Sequence, residues 1–164
     1  MKAVLHSFAY GLDFLRAQVA DVATADMARQ PNGVMNHPAW VIGHLTNACQ
    51  MLGRAIGLPK WLPQDFGKRF GTGSAPVADA SLYPTKEEAL AMLRDAQDRF
   101  TNAVEQLDES KLDEPFPVES YRYVFPTIRH ALTQVLVGHT AYHIGQVGVW
   151  RKAMGLPALD RSFE

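Results

Sequence analysis

Apolar residues recur at steps of three and four over four long stretches of the chain, and strict alternation is scarce. In the first stretch, residues 2–28, Val4, Leu5, Phe8, Leu12, Leu15, Val19 and Val22 fall on one face. That spacing predicts a helix with one buried side. Gly11 lies inside the pattern, where it costs about 1 kcal/mol against alanine. Its missing side chain would admit a close packing contact.

A second helix is predicted over 38–56. Asn36 is placed to cap it, and Pro38 suits a first turn because its missing N–H has no partner to lose there. Trp40, Val41, His44, Leu45, Ala48, Met51 and Leu52 carry the periodicity until Gly57 and Pro59 end it. The third helix opens on Thr85-Lys86-Glu87-Glu88, a capping box in which the threonine and the glutamate each satisfy an orphan backbone N–H. Leu90, Leu93, Phe100, Val104 and Leu107 form its stripe. The fourth runs from Thr127 to Met154. On it Ile128, Leu132, Val135, Leu136, His139, His143, Val147 and Trp150 share a face, and Gly155 and Pro157 close it.

Two longer connections remain. Residues 57–84 are rich in Gly, Pro and Ser and read as a loop. A loop this long inside a compact domain is often functional, and Trp61, Phe66 and Phe70 should pack it onto the body. Residues 108–126 hold Pro115, Pro117 and Pro126, with a short strand expected over Val118–Phe125. No repeat or linker interrupts the chain. The pattern predicts an all-α four-helix bundle, a single domain over residues 1–164 with a long loop between helices 2 and 3.

Composition narrows the function. Of 164 residues, 47% are hydrophobic, which is enough for a core. Sixteen Lys+Arg against seventeen Asp+Glu leave a formal charge of −1, so there is no electrostatic footprint for nucleic acid. The one cysteine excludes an internal disulfide. No window approaches 18 consecutive apolar residues, and the first residues lack the form of an export signal. A cytoplasmic protein without membrane contact is expected.

The sharpest chemical feature is His139-Thr140-Ala141-Tyr142-His143. Residues four apart on a helix are neighbours, so two imidazoles can reach one metal ion. Both lie on the apolar stripe, and so does His44 on the second helix. Burying three imidazoles is costly without a shared explanation. The simplest is a metal held by three neutral histidines, with room left for water or substrate. The alternative is that His44 hydrogen-bonds a backbone carbonyl or lines an empty pocket. Gln146 and Asn47, one turn past His143 and His44, could hold a metal water, orient a ring, or be ordinary helix amides. Tyr142 adjoins His143. Trp40 reads as core before substrate platform, and His37 is placed at the bundle mouth. His130 lies about half a turn away from His139, His6 is off its stripe, and Cys49 reads as a small core residue. Arg151 and Lys152 suit the helix C-terminus through its dipole.

His37-Pro38-Ala39-Trp40-Val41-Ile42-Gly43-His44-Leu45 resembles the second-helix signature of the DinB-like (DinB/YfiT) superfamily. The run from His139 through Gln146-Val147-Gly148 and Arg151-Lys152 to Gly155-Leu156-Pro157 resembles its last-helix signature. Phe70-Gly71-Thr72-Gly73-Ser74 and the helix start at Tyr83-Pro84 are also similar to many members. The resemblance implies an up-down-down-up bundle and one divalent metal, zinc or nickel, on His44, His139 and His143. It further implies a homodimer and a metal-dependent transferase that joins a low-molecular-weight thiol to an electrophilic small molecule. A hydrolase on the same site and a non-catalytic metal-stabilised binding or stress-response module remain as alternatives, because membership does not fix a reaction. No carboxylate is placed as a general base beside the histidines, which favours thiol chemistry. A ferritin-like di-iron site would need Glu-x-x-His motifs, and covalent haem would need Cys-x-x-Cys-His; the chain has neither.

Overall fold

The computed structural model describes residues 1–159. Among them the chain is all helical: α1 (Lys2–Val19), α2 (Pro38–Ala55), α3 (Phe66–Phe70), α4 (Lys86–Glu105), α5 (Glu109–Leu112), α6 (Ile128–Thr133) and α7 (Thr140–Ala153). A π turn over Gln134–His139 joins α6 to α7, so they run as one long helix. Among the described residues no helix is long and apolar enough to cross a membrane.

The four long helical stretches close on one another. α1 packs on α7 and α4, and α2 packs on α4 and α7. Leu12, Leu15, Val41, Ile42, Leu93, Phe100, Leu132 and Trp150 meet in the shared core. α2 is buried on nearly every side, with Met51 an exposed exception on its stripe.

The first helix stops at Val19, not at residue 28. Val22, Met27 and Ala28 are nonetheless buried, and Val22, three residues past Val19, extends the apolar stripe beyond the helix end. The end of α1 is met by a residue from far along the chain. The Arg151 guanidinium, itself only 3% exposed, donates to Gln18 O and to both carboxylate oxygens of Asp21. It thereby satisfies a carbonyl of the last turn that has no partner within the helix. Arg151 is an internal clamp, a larger role than dipole complementarity. The cap of α2 also differs from the sequence reading. His37, not Asn36, is its N-cap, and His37 Nδ1 accepts from Trp40 N.

The long connection after α2 is held down as its aromatic residues predict. Phe66 and Phe70 are buried in α3, and Trp61 lies against Gly53, where an added Cβ would meet its ring at 2.8 Å. The Gln50 side chain accepts from Trp61 N and Leu62 N. α4 begins at the predicted capping box, with Thr85 and Glu88 satisfying each other's backbone N–H groups. The strand expected over Val118–Phe125 is absent. A 3-10 turn over Glu119–Tyr121 stands there, with one isolated bridge between Pro115 and Thr127 outside it. Val118, Tyr121, Tyr123 and Val124 are exposed, so no buried face rewards strand pairing.

Candidate metal centre

Three imidazoles meet where α2 faces the junction of the π turn with α7. His44 Nε2 lies 3.0 Å from His139 Nε2, which lies 3.2 Å from His143 Nε2. One ligand atom from each ring falls within 4.8 Å of the others. His44 and His143 are buried and His139 is half-buried. Burial pushes the His139 and His143 rings down to about 4, with repulsion among the rings acting the same way, and burial also lowers His44. Neutral rings are the form that binds metal.

The rings are oriented from behind. His44 Nδ1 donates to Phe70 O at 2.6 Å. His143 Nδ1 donates to Gln146 Oε1 at 2.8 Å, and the same oxygen accepts from Asn36 Nδ2 at 2.9 Å. A carbonyl oxygen can only accept, so both rings carry their proton on Nδ1 and present a lone pair at Nε2. One proton on His139 Nε2 can satisfy only one of those two lone pairs. His139 Nδ1, also buried, finds no hydrogen-bond partner among the described residues. A divalent cation takes all three lone pairs at once, so this donor set fits a metal held by His44, His139 and His143.

Phe70 reaches His44 because of a glycine. A Cβ on Gly43 would meet the Phe70 ring at 2.2 Å. The missing side chain lets α3 settle on α2 and brings its last carbonyl to the imidazole. Trp40 stacks on the other side of His44, with centroids 4.6 Å apart and planes 14° apart. Its indole N–H donates to Ser74 Oγ, which donates to Gly71 O, so the loop after α3 is tied to the same wall.

The remaining sequence-predicted residues divide. Gln146 lies against the His143 ring, its Oε1 accepting from Nδ1. Tyr142 is 65% exposed and meets His143 edge-on, with ring centroids 5.2 Å apart. Asn47 faces α3, its Oδ1 3.6 Å from where a Cβ on Gly67 would sit. His37 lies wholly buried under the loop before α4, its Nε2 donating to Val77 O and its ring edge-on to Tyr83. Burial pushes it down to about 4. His130 and His6 are exposed and outside the cluster. Cys49 is buried and its thiol pushed up to about 12, an inert core residue. Sequence reasoning missed Phe70 O, Gly43 and Asn36 as parts of the site. A glycine immediately before a helical histidine was the available signal for the first two; nothing local marked Asn36.

An all-helical chain with three convergent imidazoles defines the class: a helical protein with a three-histidine site able to hold a metal ion. The sequence pattern of the DinB superfamily matches residues 11–147, and the chain belongs to that superfamily. The fold is similar to a crystal structure titled as a conserved protein from Enterococcus faecalis. That likeness has a TM-score of 0.72 and 15% identity, and covers 94% of this chain and 96% of the other. No curated protein matches.

Proposed function

We propose that this chain is a metal-dependent transferase that joins a low-molecular-weight thiol to an electrophilic small molecule, with one zinc or nickel ion on His44, His139 and His143. The observation that carries the metal reading is the convergence of three Nε2 atoms, two of them stripped of a proton by the hydrogen bonds behind them. Bound there, a divalent ion would supply Lewis-acid stabilisation of a thiolate. The chain's own residues supply the rest. Phe70 O and Gln146 hold two rings in the ligating tautomer, and Trp40 covers the flank of His44 against water. His139 and Tyr142 are the more exposed members, so the open side for substrates lies along them. The groups hydrogen-bonded to the rings from outside the cluster are a backbone carbonyl and an amide, neither of them a base. That favours a thiolate, which needs no base at the moment of attack, over water.

The same reading takes the chain as an up-down-down-up four-helix bundle. Two contacts support a parallel α1 and α7: Gly11 beside Thr140 and Ile144, and Gln18 beside Gly148 and Arg151. Others support α2 running against α7 (Asn36 to Gln146, His44 to His139) and α4 running against α1 (Arg16 to Gln97, Lys86 to Ala20). We further propose a homodimer acting in the cytoplasm, where small thiols stay reduced.

Elemental analysis of the untagged protein beside His143→Ala tests the site. About one zinc or nickel per chain, lost in the variant, is expected; thiols are then screened against electrophiles for conjugate formation. No metal in either protein after reconstitution overturns the reading.

A further inference from the structure

The last long helix carries one residue more per turn, over Gln134–His139, than α-helical geometry accommodates. The turn closes at Thr140, whose backbone N–H reaches Val135 O, five residues back. The Thr140 hydroxyl donates to the same carbonyl at 3.0 Å, and the residue is 3% exposed. Buried positions are Ala131 and Leu132 before the turn, Val135 and Leu136 within it, and Thr140, His143, Ile144 and Val147 after it. The stripe therefore passes by His139, which is left half-buried with its Nε2 on His44. α1 makes room for this arrangement. A Cβ on Gly11 would lie 3.6 Å from the Thr140 methyl and 3.2 Å from Ile144.

We propose that Thr140 is a positioning residue for the three-histidine cluster: its hydroxyl bond to Val135 O holds the π turn that aims His139 at His44 and His143. Position 140 faces α1 and not the ring nitrogens, so it acts through the backbone. A threonine bonded back to its own helix is common and often affects only stability. The two roles separate on readouts other than melting temperature.

The test compares the full chain with Thr140→Val, which keeps the shape and removes the donor, and Thr140→Ser, which keeps the donor. Metal-free crystal structures report the turn. Cobalt(II) titration, followed by its visible absorption and by chelator competition, reports the ligand set. The expected result is a Val variant with regular α-helix over 134–140, cobalt binding weakened about tenfold or more and altered visible bands, while the Ser variant matches wild type. Thr140→Ala serves the same comparison if the Val variant does not fold. A Val variant that keeps the π turn and the wild-type cobalt spectrum overturns the proposal, whatever its melting temperature. The cobalt readout rests on the metal reading above. Should the wild type bind no cobalt, that reading fails, and the metal-free structures alone decide: loss of the turn in the variant upholds the role of Thr140, and its retention overturns it.

Discussion

Phe70 O accepts the Nδ1 proton of His44 at 2.6 Å, joining residues 26 positions apart in sequence. The bond fixes the tautomer of a ring that must present Nε2 to its neighbours. It exists because Gly43, one residue before His44, leaves space for the Phe70 ring.

Gly43→Ala should therefore disturb the site without touching a histidine. The new methyl would overlap the Phe70 ring and push α3 off α2. We expect a loss of about 1–3 kcal/mol from overpacking and metal binding weaker by about 10–100-fold. Gly145→Ala is the control, since nothing lies within 4 Å of its added Cβ. It should gain up to about 1 kcal/mol in helix propensity and leave metal binding unchanged. Denaturant melts and chelator competition on the two variants decide.

Gln146→Leu removes the acceptor shared by His143 and Asn36. The His143 ring is then free to carry its proton on Nε2, where it blocks ligation. Metal affinity should fall about 10–100-fold with the helix intact by circular dichroism. Unchanged affinity would show that this bond does not set the ligating tautomer.

His37 should make the metal-free protein acid-labile. Its ring is pushed from the usual 6.5 down to about 4, chiefly by burial. Between those values the unfolded chain takes up a proton that the folded ring refuses, so stability falls as pH drops from 6.5 toward 4. The share of this one ring is up to about 3 kcal/mol. Asparagine is also a good N-cap, so His37→Asn should keep α2 and flatten the pH dependence. Denaturation midpoints of both proteins in chelator, across that window, measure the difference in slope. The buried site rings contribute in the same direction to both proteins.

The Arg151–Asp21 pair should be lopsided. Arg151 is 3% exposed and also donates to the carbonyls of Gln18 and Pro157, whereas the Asp21 side chain is 47% exposed. Arg151→Met strips donors from partly buried carbonyls and should cost about 2–4 kcal/mol. Asp21→Asn keeps an acceptor at a hydrated position and should cost under about 1 kcal/mol. Equal losses would mean that the ion pair itself, and not the carbonyl clamp, carries the stability.

The four long helical stretches were legible because burial of one face imposes a period on the chain that needs no knowledge of partners. The His44, His139 and His143 set was legible because His44 and His143 sit on such faces, His139 lies four residues before His143, and the resemblance joined them. Local capping chemistry placed the start of α4 at Thr85. The boundary of α1 was misplaced because Val22 extends the stripe one step past the helix end, and Met27 and Ala28 are apolar and buried without being helix. Arg151, 130 positions from Asp21, meets the end of that helix.

What the sequence by itself determined is therefore whatever depends on neighbours along the chain: helix existence, the capping box, and the spacing of His139 and His143. The tertiary structure alone decided which lone pairs those histidines present. Phe70 and Asn36 come from distant segments, Asn36 reaching His143 through Gln146 one turn along the helix, and α1 lies beside Thr140 at Gly11. Hydrogen bonds between remote segments leave no period in a sequence, because their donors and acceptors are backbone groups and amides that occur everywhere. They become specific only when packing fixes them within 3 Å of each other.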